Sequence, residues 1–336
     1  MLKHSNKTLN SLKQNPSHNF AMGHSMMLYR KNVLYSFIPK NGCSTLRLSA
    51  AIENGCISGI EQGHWIHTNN QTFNATLAEA IKIDYSFVVL RCPFKRLASV
   101  FLDKFVSKEP DAWQYRNQLE RKVELDELTF REFVYSLKKP AIFRSNIHWR
   151  PQNEFLIYNE YSDYFSLENF SYAIRVLKEK VDFNVIDARS LTNHGTDGYT
   201  ELNQQCYAGM AAFDIALLKR NGECPSHIAM YDEELYGIVT ELYKQDVGLY
   251  MNKCQASKMM QKADVAGINI DIKRITFDEI KTSAQVDYLR DEAVRLESSD
   301  LPMSYKLMSL AYQARPTGLF IKKKFDEYTA KLSVQS

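Results

Sequence analysis

The sequence predicts an α/β fold, a parallel β-sheet flanked by helices, with a small all-α appendage at the carboxyl end. Three observations predict it. Short strands that are apolar throughout alternate with helical stretches, which is the pattern of strands buried on both faces. Two of these strands run into a turn and a helix start that carry groups suited to phosphate. After residue 254 the composition turns polar and mixed, then gives three more helical patterns.

In chain order, residues 35–39 read as a buried strand ending at Pro39, followed by a tight loop and a helix over 45–53. Asn54-Gly55 and Ser58-Gly59 mark a loop to residue 72. A short helix is expected over 73–82 and a buried strand over 85–90. Apolar residues at 94, 97, 98, 101, 102 and 105 give the next helix a buried face. Two or three helices are expected over 94–139, broken at Pro110 and Pro140. Strands are expected near 155–158 and at 183–186, and helices over 201–220 and 229–250. Beyond a strand-like stretch at 268–275, helices are expected over 284–297, 302–314 and 320–332. Asp300 suits the N-cap of the second, with Pro302 in its first turn. Positions 286, 289, 293 and 296 face 307, 308, 310 and 311. The expected organisation is a flexible segment 1–28, a main domain 29–255, a linker 256–282 and a helical extension 283–336.

A chain of 336 residues can bury one substantial core plus an appendage. Its formal charge of +3 is too small to argue for nucleic acid. Residues 1–20 lack the apolar run of a signal peptide, and no later stretch reaches spanning length without charges. A soluble, cytoplasmic protein is expected. The six cysteines are scattered with no C-x-x-C pair, so neither a zinc site nor a disulfide framework is expected.

The chemistry concentrates in two segments. In Lys40-Asn41-Gly42-Cys43-Ser44-Thr45, Gly42 lets the backbone approach a ligand, and the amides of a helix start bind phosphate. The pattern is not the ATP-type loop, since no pair of glycines precedes a Lys-Ser/Thr. In the second segment Arg91 closes a strand, Pro93 opens a helix and Ser99 follows two turns later. Arginine and serine so placed can hold a second phosphate.

These segments closely resemble the sulfotransferases that use 3'-phosphoadenosine 5'-phosphosulfate (PAPS). Lys40, Gly42, Ser44 and Thr45 match that family's Lys-x-Gly-x-Ser/Thr loop, and Arg91, Pro93, Arg96 and Ser99 match its Arg-x-Pro-x-x-Arg-x-x-Ser segment. The run Ile38-Pro39-Lys40-Asn41-Gly42-Cys43-Ser44-Thr45-Leu46-Arg47 is most similar to carbohydrate sulfotransferases of the chondroitin and HNK-1 branch, in sulfotransferase family 2. Further matches are His148-Trp149-Arg150-Pro151-Gln152, Leu167-Glu168-Asn169-Phe170, and Tyr231 through Tyr250 with Tyr243 and Asp246. Cys92 departs from the aspartate usual there, and no role is carried over to Asp163.

The resemblance implies transfer of a sulfuryl group from PAPS to a carbohydrate hydroxyl, without a metal. Lys40, Asn41, Gly42, Cys43, Ser44 and Thr45 would hold the 5'-phosphosulfate, and Arg91 with Ser99 the 3'-phosphate. Lys40 would also neutralise the bridging oxygen as its bond to sulfur breaks. Arg47 either helps from the first turn or is an exposed helical residue. Lys95 and Arg96 read as solvated, although Arg96 matches the family pattern. Histidine is the favoured general base. His67 fits the spacing that uronyl sulfotransferases give their base, and His148 is the competitor; Glu168 ranks below both. Trp65, Trp113, Tyr115 and Trp149 either stack on sugar or belong to the core. The carboxyl-terminal helices resemble a tetratricopeptide-like pair plus one helix, able to pack on the main domain, on a second copy in a homo-oligomer, or on a partner. Two other functions fit the loop less well: a nucleotide-dependent kinase, and a non-catalytic scaffold that binds 3'-phosphoadenosine 5'-phosphate (PAP).

Overall fold

Four short strands, β1 (Ser25–Leu28), β2 (Val33–Ser36), β3 (Tyr85–Leu90) and β4 (Asp163–Ser166), form one sheet in the order β1-β2-β3-β4. β1 and β2 are an antiparallel hairpin, and β2, β3 and β4 run parallel. The structure is a computed structural model in which residues 1–5, 11–69, 71–120, 122–188, 198–254, 256–265 and 283–333 are described. They fall into two compact units, one of Met1–Ala216 with Gly222–Ile272 and one of Leu217–Asn221 with Lys273–Ser336.

The near-continuous apolar strands have a simple cause: both faces of the sheet are covered. Met26, Leu28, Val33, Tyr35, Phe87, Val89 and Phe165 alternate onto one face and pack with the helices Cys43–Glu53 and Phe170–Val181. The residues between them, Met27, Leu34, Val88 and Leu90, are buried too. Tyr35 and Phe87, opposite one another in register, stack with ring centroids 4.8 Å apart. β2 and β3 then deliver their carboxyl ends side by side, where open parallel sheets form ligand crevices.

The predicted strand over 85–90 is present, but the other parallel neighbour lies at Asp163–Ser166 rather than near 155–158 or at 183–186. Each of those two segments spends its backbone groups elsewhere. Ile186 N–H donates to Ser49 Oγ at 2.8 Å, and Ala188 N–H to Thr45 Oγ1 at 3.3 Å, so helix side chains replace a strand ladder. Ile157 N–H donates to Tyr161 Oη at 2.9 Å, while its carbonyl accepts from Lys3 N–H at 2.8 Å. Within the expected flexible segment 1–28, residues 16–22 form a helix capped by Asn15, and residues 25–28 are the sheet's fully buried edge strand. The apolar run Met26-Met27-Leu28 supplies the reason, because it can be buried only by joining the sheet.

The helix Pro93–Val100 continues into a π-helical turn, Phe101–Phe105. Arg96 lies on it, 2 % exposed and not solvated as the sequence suggested. Its guanidinium donates to the carbonyls of Pro39 at 3.1 Å, Arg150 at 2.9 Å and Ile147 at 3.2 Å, sewing three separate segments together. Tyr115 and Trp149 are core residues, each 1 % exposed and packed with Phe105 and Phe133, so neither can stack on a sugar.

In the second unit, helices Ser283–Leu296, Leu301–Ala314 and Leu319–Ser333 follow the expected pattern. Val286, Leu289, Ala293 and Leu296 are buried, as are Leu307, Met308, Leu310 and Ala311. Asp300 caps the middle helix by accepting from Met303 N–H at 3.1 Å. Most of the expected linker, and the strand-like stretch 268–275, lie outside the described residues. No helix among the described residues is long and apolar enough to cross a membrane.

Truncating Arg96 takes the donor from three carbonyls, that of Pro39 buried and those of Arg150 and Ile147 part-buried, at up to about 1–3 kcal/mol each. Arg96→Ala is therefore expected to lower unfolding free energy by about 3 kcal/mol or more in urea melts at unchanged m-value. A loss below about 0.5 kcal/mol, the size of a surface substitution, would refute the bracing role.

Candidate active site

The two predicted phosphate segments meet at the ends of β2 and β3. After β2 the chain turns through Ile38-Pro39-Lys40-Asn41, closed by Asn41 N–H donating to the Ile38 carbonyl at 3.2 Å. Proline in the second place and positive φ in the third (Lys40, φ 71°) give the pattern of a type II turn, whose third place usually takes glycine. Here lysine bears that strain, and its carbonyl accepts from Arg91 Nη1 at 3.0 Å. Gly42 (φ 74°) is the N-cap of helix Cys43–Glu53, with no side-chain cap on the first turn. A Cβ at Gly42 would also lie 3.2 Å from Leu167 Cδ1. Backbone amides at a helix start, uncapped by any side chain, with no Cβ in front of them, suit an anion.

Arg91 sits just past β3. Its Nη1 also donates to Ser99 Oγ at 2.8 Å, from the helix that begins at Pro93. Its Nε and the Oδ1 of Asn41 are buried without a hydrogen-bond partner. A buried guanidinium N–H left over at the crevice suits a ligand that brings an acceptor to it.

One side chain holds both segments. Gln152 Oε1 accepts from Asn41 Nδ2 at 2.6 Å and from Arg91 N–H at 3.0 Å, while Nε2 donates to the Arg91 carbonyl at 2.9 Å. The backbone at Gln152 and Asn153 is held in turn by Asp246, whose carboxylate accepts their N–H groups at 2.6 and 2.9 Å. Tyr243 hydroxyl caps the Trp149 carbonyl from the same part of the chain. Glu168 accepts from Cys92 N–H at 3.1 Å and from Tyr250 Oη at 2.8 Å, which makes it a brace of the strand–helix junction.

The predicted residues Lys40, Asn41, Gly42, Arg91 and Ser99 are thus brought together, with Cys43 and Ser44 half-buried on the first turn. Thr45 is buried and holds Ala188 through its hydroxyl. Arg47 is bonded to the Ile66 carbonyl and lies over the Phe37 ring at 5.4 Å, rather than standing exposed. His67 is on the adjoining short helix Trp65–Thr68, and its side chain lies outside the described residues.

Lys40 Nζ pairs with Asp103 at 2.8 Å, and from there a string of charged groups runs to His148. Asp103 meets Lys104 at 3.3 Å, Lys104 meets Asp111 at 3.7 Å, and Asp111 meets His148 Nδ1 at 3.0 Å. The His148 Nδ1 also faces Asn146 Oδ1 at 3.0 Å. With two oxygens against it, Nδ1 carries the proton and Nε2 keeps the lone pair. Burial lowers the His148 pKa against the opposing pull of Asp111, so the imidazole is neutral near pH 7. Burial works against the Asp111 carboxylate, yet hydrogen bonds from His148 and Asn146 and the Lys104 charge bring it down to about 2.

Nothing in the sequence singles out His227 for this site. Its Nε2 lies 3.5 Å from Arg91 Nη2. Burial holds it well below its ordinary pKa, and Arg91, Lys95 and Lys40 push the same way, so it is a neutral ring among cations. Nothing local marks it, because it arrives on a turn far along the chain. Asp103 was readable in principle, since it follows Ser99 by four residues on one helix.

The Asp111 pairing has a testable sign. Its folded pKa of about 2 lies below the unfolded value near 4, so its contribution is present above pH 4 and lost as pH falls to about 2. Asp111→Asn is expected to cost about 2 kcal/mol at pH 6, with the gap to wild type closing between about pH 4 and 2. Urea melts across that range check it, and an equal gap at pH 2 and pH 6 sinks the pairing.

A family model described as the sulfotransferase family matches residues 23–252, a span that takes in the whole four-stranded sheet and both predicted phosphate segments. No curated protein and no solved structure matches the chain. A match over more than half of the chain, with its two strand-end segments joined at one crevice, settles membership: the chain belongs to the sulfotransferase family.

Proposed function

We propose that this sulfotransferase takes PAPS as donor and a carbohydrate hydroxyl as acceptor. The observation that carries the donor reading is the junction at Arg91. One guanidinium is bonded to the Lys40 carbonyl and to Ser99, and keeps a buried Nε without a partner. A crevice with two anion-binding ends, one at the Gly42 helix start and one at Arg91, suits a nucleotide with phosphate at both 5' and 3' positions. The carbohydrate acceptor rests on the likeness of residues 38–47 to the chondroitin and HNK-1 branch.

When bound, the nucleotide supplies an activated sulfuryl group on a phosphate leaving group. The chain's own residues do the rest. Amides of the first turn, Cys43 to Thr45, hold the 5' end, and Arg91 with Ser99 holds the 3'-phosphate. Lys40 stabilises charge on the departing oxygen, the kind of contribution that electrostatic preorganisation makes largest. A neutral histidine takes the acceptor's proton. Supporting His148 in that role are its Asp111 partner, its Nε2 lone pair and its place on the string of charges from Lys40. Supporting His67 is its helix, which Arg47 ties to the start of the phosphate-loop helix.

Calorimetric titration tests the donor. Arg91→Ala should weaken PAP about tenfold or more while leaving adenosine 5'-phosphosulfate, which lacks the 3'-phosphate, nearly unchanged. Equal losses for both nucleotides would remove Arg91 from the 3'-phosphate. ATP binding as tightly as PAP to the wild type would turn the reading toward a kinase.

The two histidines are separated by turnover. A general base contributes about a hundred- to ten-thousandfold, so its alanine variant should lose that much with PAP affinity intact. We expect one of His148→Ala and His67→Ala to collapse turnover in this way and the other to stay within about tenfold. If both variants keep wild-type turnover, the base lies elsewhere.

A further inference from the structure

The helix that begins at Pro93 carries two acceptors aimed at the two cations of the crevice. Ser99 Oγ takes Arg91, and Asp103 Oδ2 takes Lys40, each at 2.8 Å. Asp103 lies within the π-helical turn Phe101–Phe105, where the helix departs from its regular repeat. Such turns cluster at functional positions because the extra residue re-aims the side chains around it.

The two acceptors differ in what they tolerate. A neutral hydroxyl can stay on Arg91 when a phosphate arrives and join it as a donor. A carboxylate cannot share Lys40 with a phosphosulfate on equal terms, since both are anions. Side chains of Lys40 and Asp103 are only 12 % and 10 % exposed, so water screens that conflict poorly.

Asp103 is also equipped to give Lys40 up. Lys104 stands 3.3 Å from the same carboxylate oxygen and is itself anchored to Asp111 at 3.7 Å. When Lys40 leaves, Asp103 keeps a cation and is not abandoned as a buried, uncompensated charge, which would be strongly destabilising. A purely structural ion pair needs no such spare partner.

We propose that Asp103 is a positioning residue that occupies the Lys40 ammonium in the resting site and must yield it to the donor's 5'-phosphosulfate. Asp103 thereby sets how tightly the donor is held. The inference rests on the donor reading above, in which Lys40 serves the 5' end. Its signature is a gain, since removal of a competitor tightens binding, whereas removal of a structural brace weakens it.

Calorimetry of PAP with wild type, Asp103→Asn, Lys40→Ala and the double variant tests it. Asp103→Asn should bind PAP about fivefold or more tightly, the scale of one ion pair's worth. In the Lys40→Ala background the same substitution should change nothing, a double-mutant cycle that ties the gain to Lys40. In steady-state assays the KM for PAPS should fall, the change that tighter holding of the donor produces. Unchanged or weaker PAP binding by a folded Asp103→Asn protein overturns the proposal. Should that variant fail to fold, Asp103→Ser carries the same expectation. Wild-type protein with labelled lysine side chains gives a further check, because the Lys40 ammonium resonance must move on adding PAP. No movement overturns the exchange. Failure of the donor reading looks different: Lys40→Ala would then leave both PAP affinity and turnover untouched.

Discussion

The crevice depends on one amide. Gln152 uses its carbonyl oxygen to accept from Asn41 and from the Arg91 backbone, and its amino group to bond the Arg91 carbonyl. Two loops that begin on neighbouring strands are thereby fixed to a common point, 1 % exposed. Burial matters here because hydrogen bonds made away from water keep their geometry, and because breaking one leaves a buried polar group unsatisfied. Asp246 secures the amide's own backbone. Burial raises that carboxyl to about 6, so at neutral pH its charge is maintained at some cost to stability by the two N–H groups it accepts. Stabilisation from this group therefore declines as pH rises from about 4 toward 6, opposite in sign to Asp111.

Around that fixed point, similar residues do different work because of their partners. Arg91 and Arg96 leave the same strand–helix junction, five positions apart. Three backbone carbonyls satisfy Arg96, which therefore has little left to offer a ligand. The Arg91 guanidinium bonds one carbonyl and one hydroxyl, faces the His227 ring and retains an unpartnered Nε. Strain is distributed in the same purposeful way. Lys40 takes the left-handed place of its turn, at a cost of about 1 kcal/mol for a residue with a side chain, and the carbonyl so turned is bonded by Arg91.

Charge placement ties the crevice to His148. Lys40, Asp103, Lys104, Asp111 and His148 succeed one another at 2.8 to 3.7 Å, so no charged group along that line is buried alone. An imidazole oriented through Nδ1 and kept neutral by burial is suited to accept a proton, and the same line carries the field of Lys40's surroundings to it. His227, neutral beside Arg91, adds a second uncharged imidazole next to the cations of the crevice.

Much of this was legible in the sequence by itself. The apolar strand at 85–90, the loop from Lys40 to Thr45, the helix opened by Pro93, and the Asp300 cap follow from patterns a few residues long, where sterics and local hydrogen bonding decide. The segment His148 to Gln152 was visible as a motif, but not the bonds of Gln152, whose partners Asn41, Arg91 and Asp246 lie between 61 and 111 positions away. Tertiary structure alone made Asp163–Ser166 the parallel edge partner of β3, since any apolar segment can pair until competitors such as 183–186 find side-chain acceptors instead. It also buried Arg96, paired Lys40 with Asp103 and brought His227 to Arg91. The physical reason is common to all four. Periodicity tells which face of an element is apolar, but a polar side chain takes its role from whichever donors and acceptors the fold sets against it, and those come from distant parts of the chain.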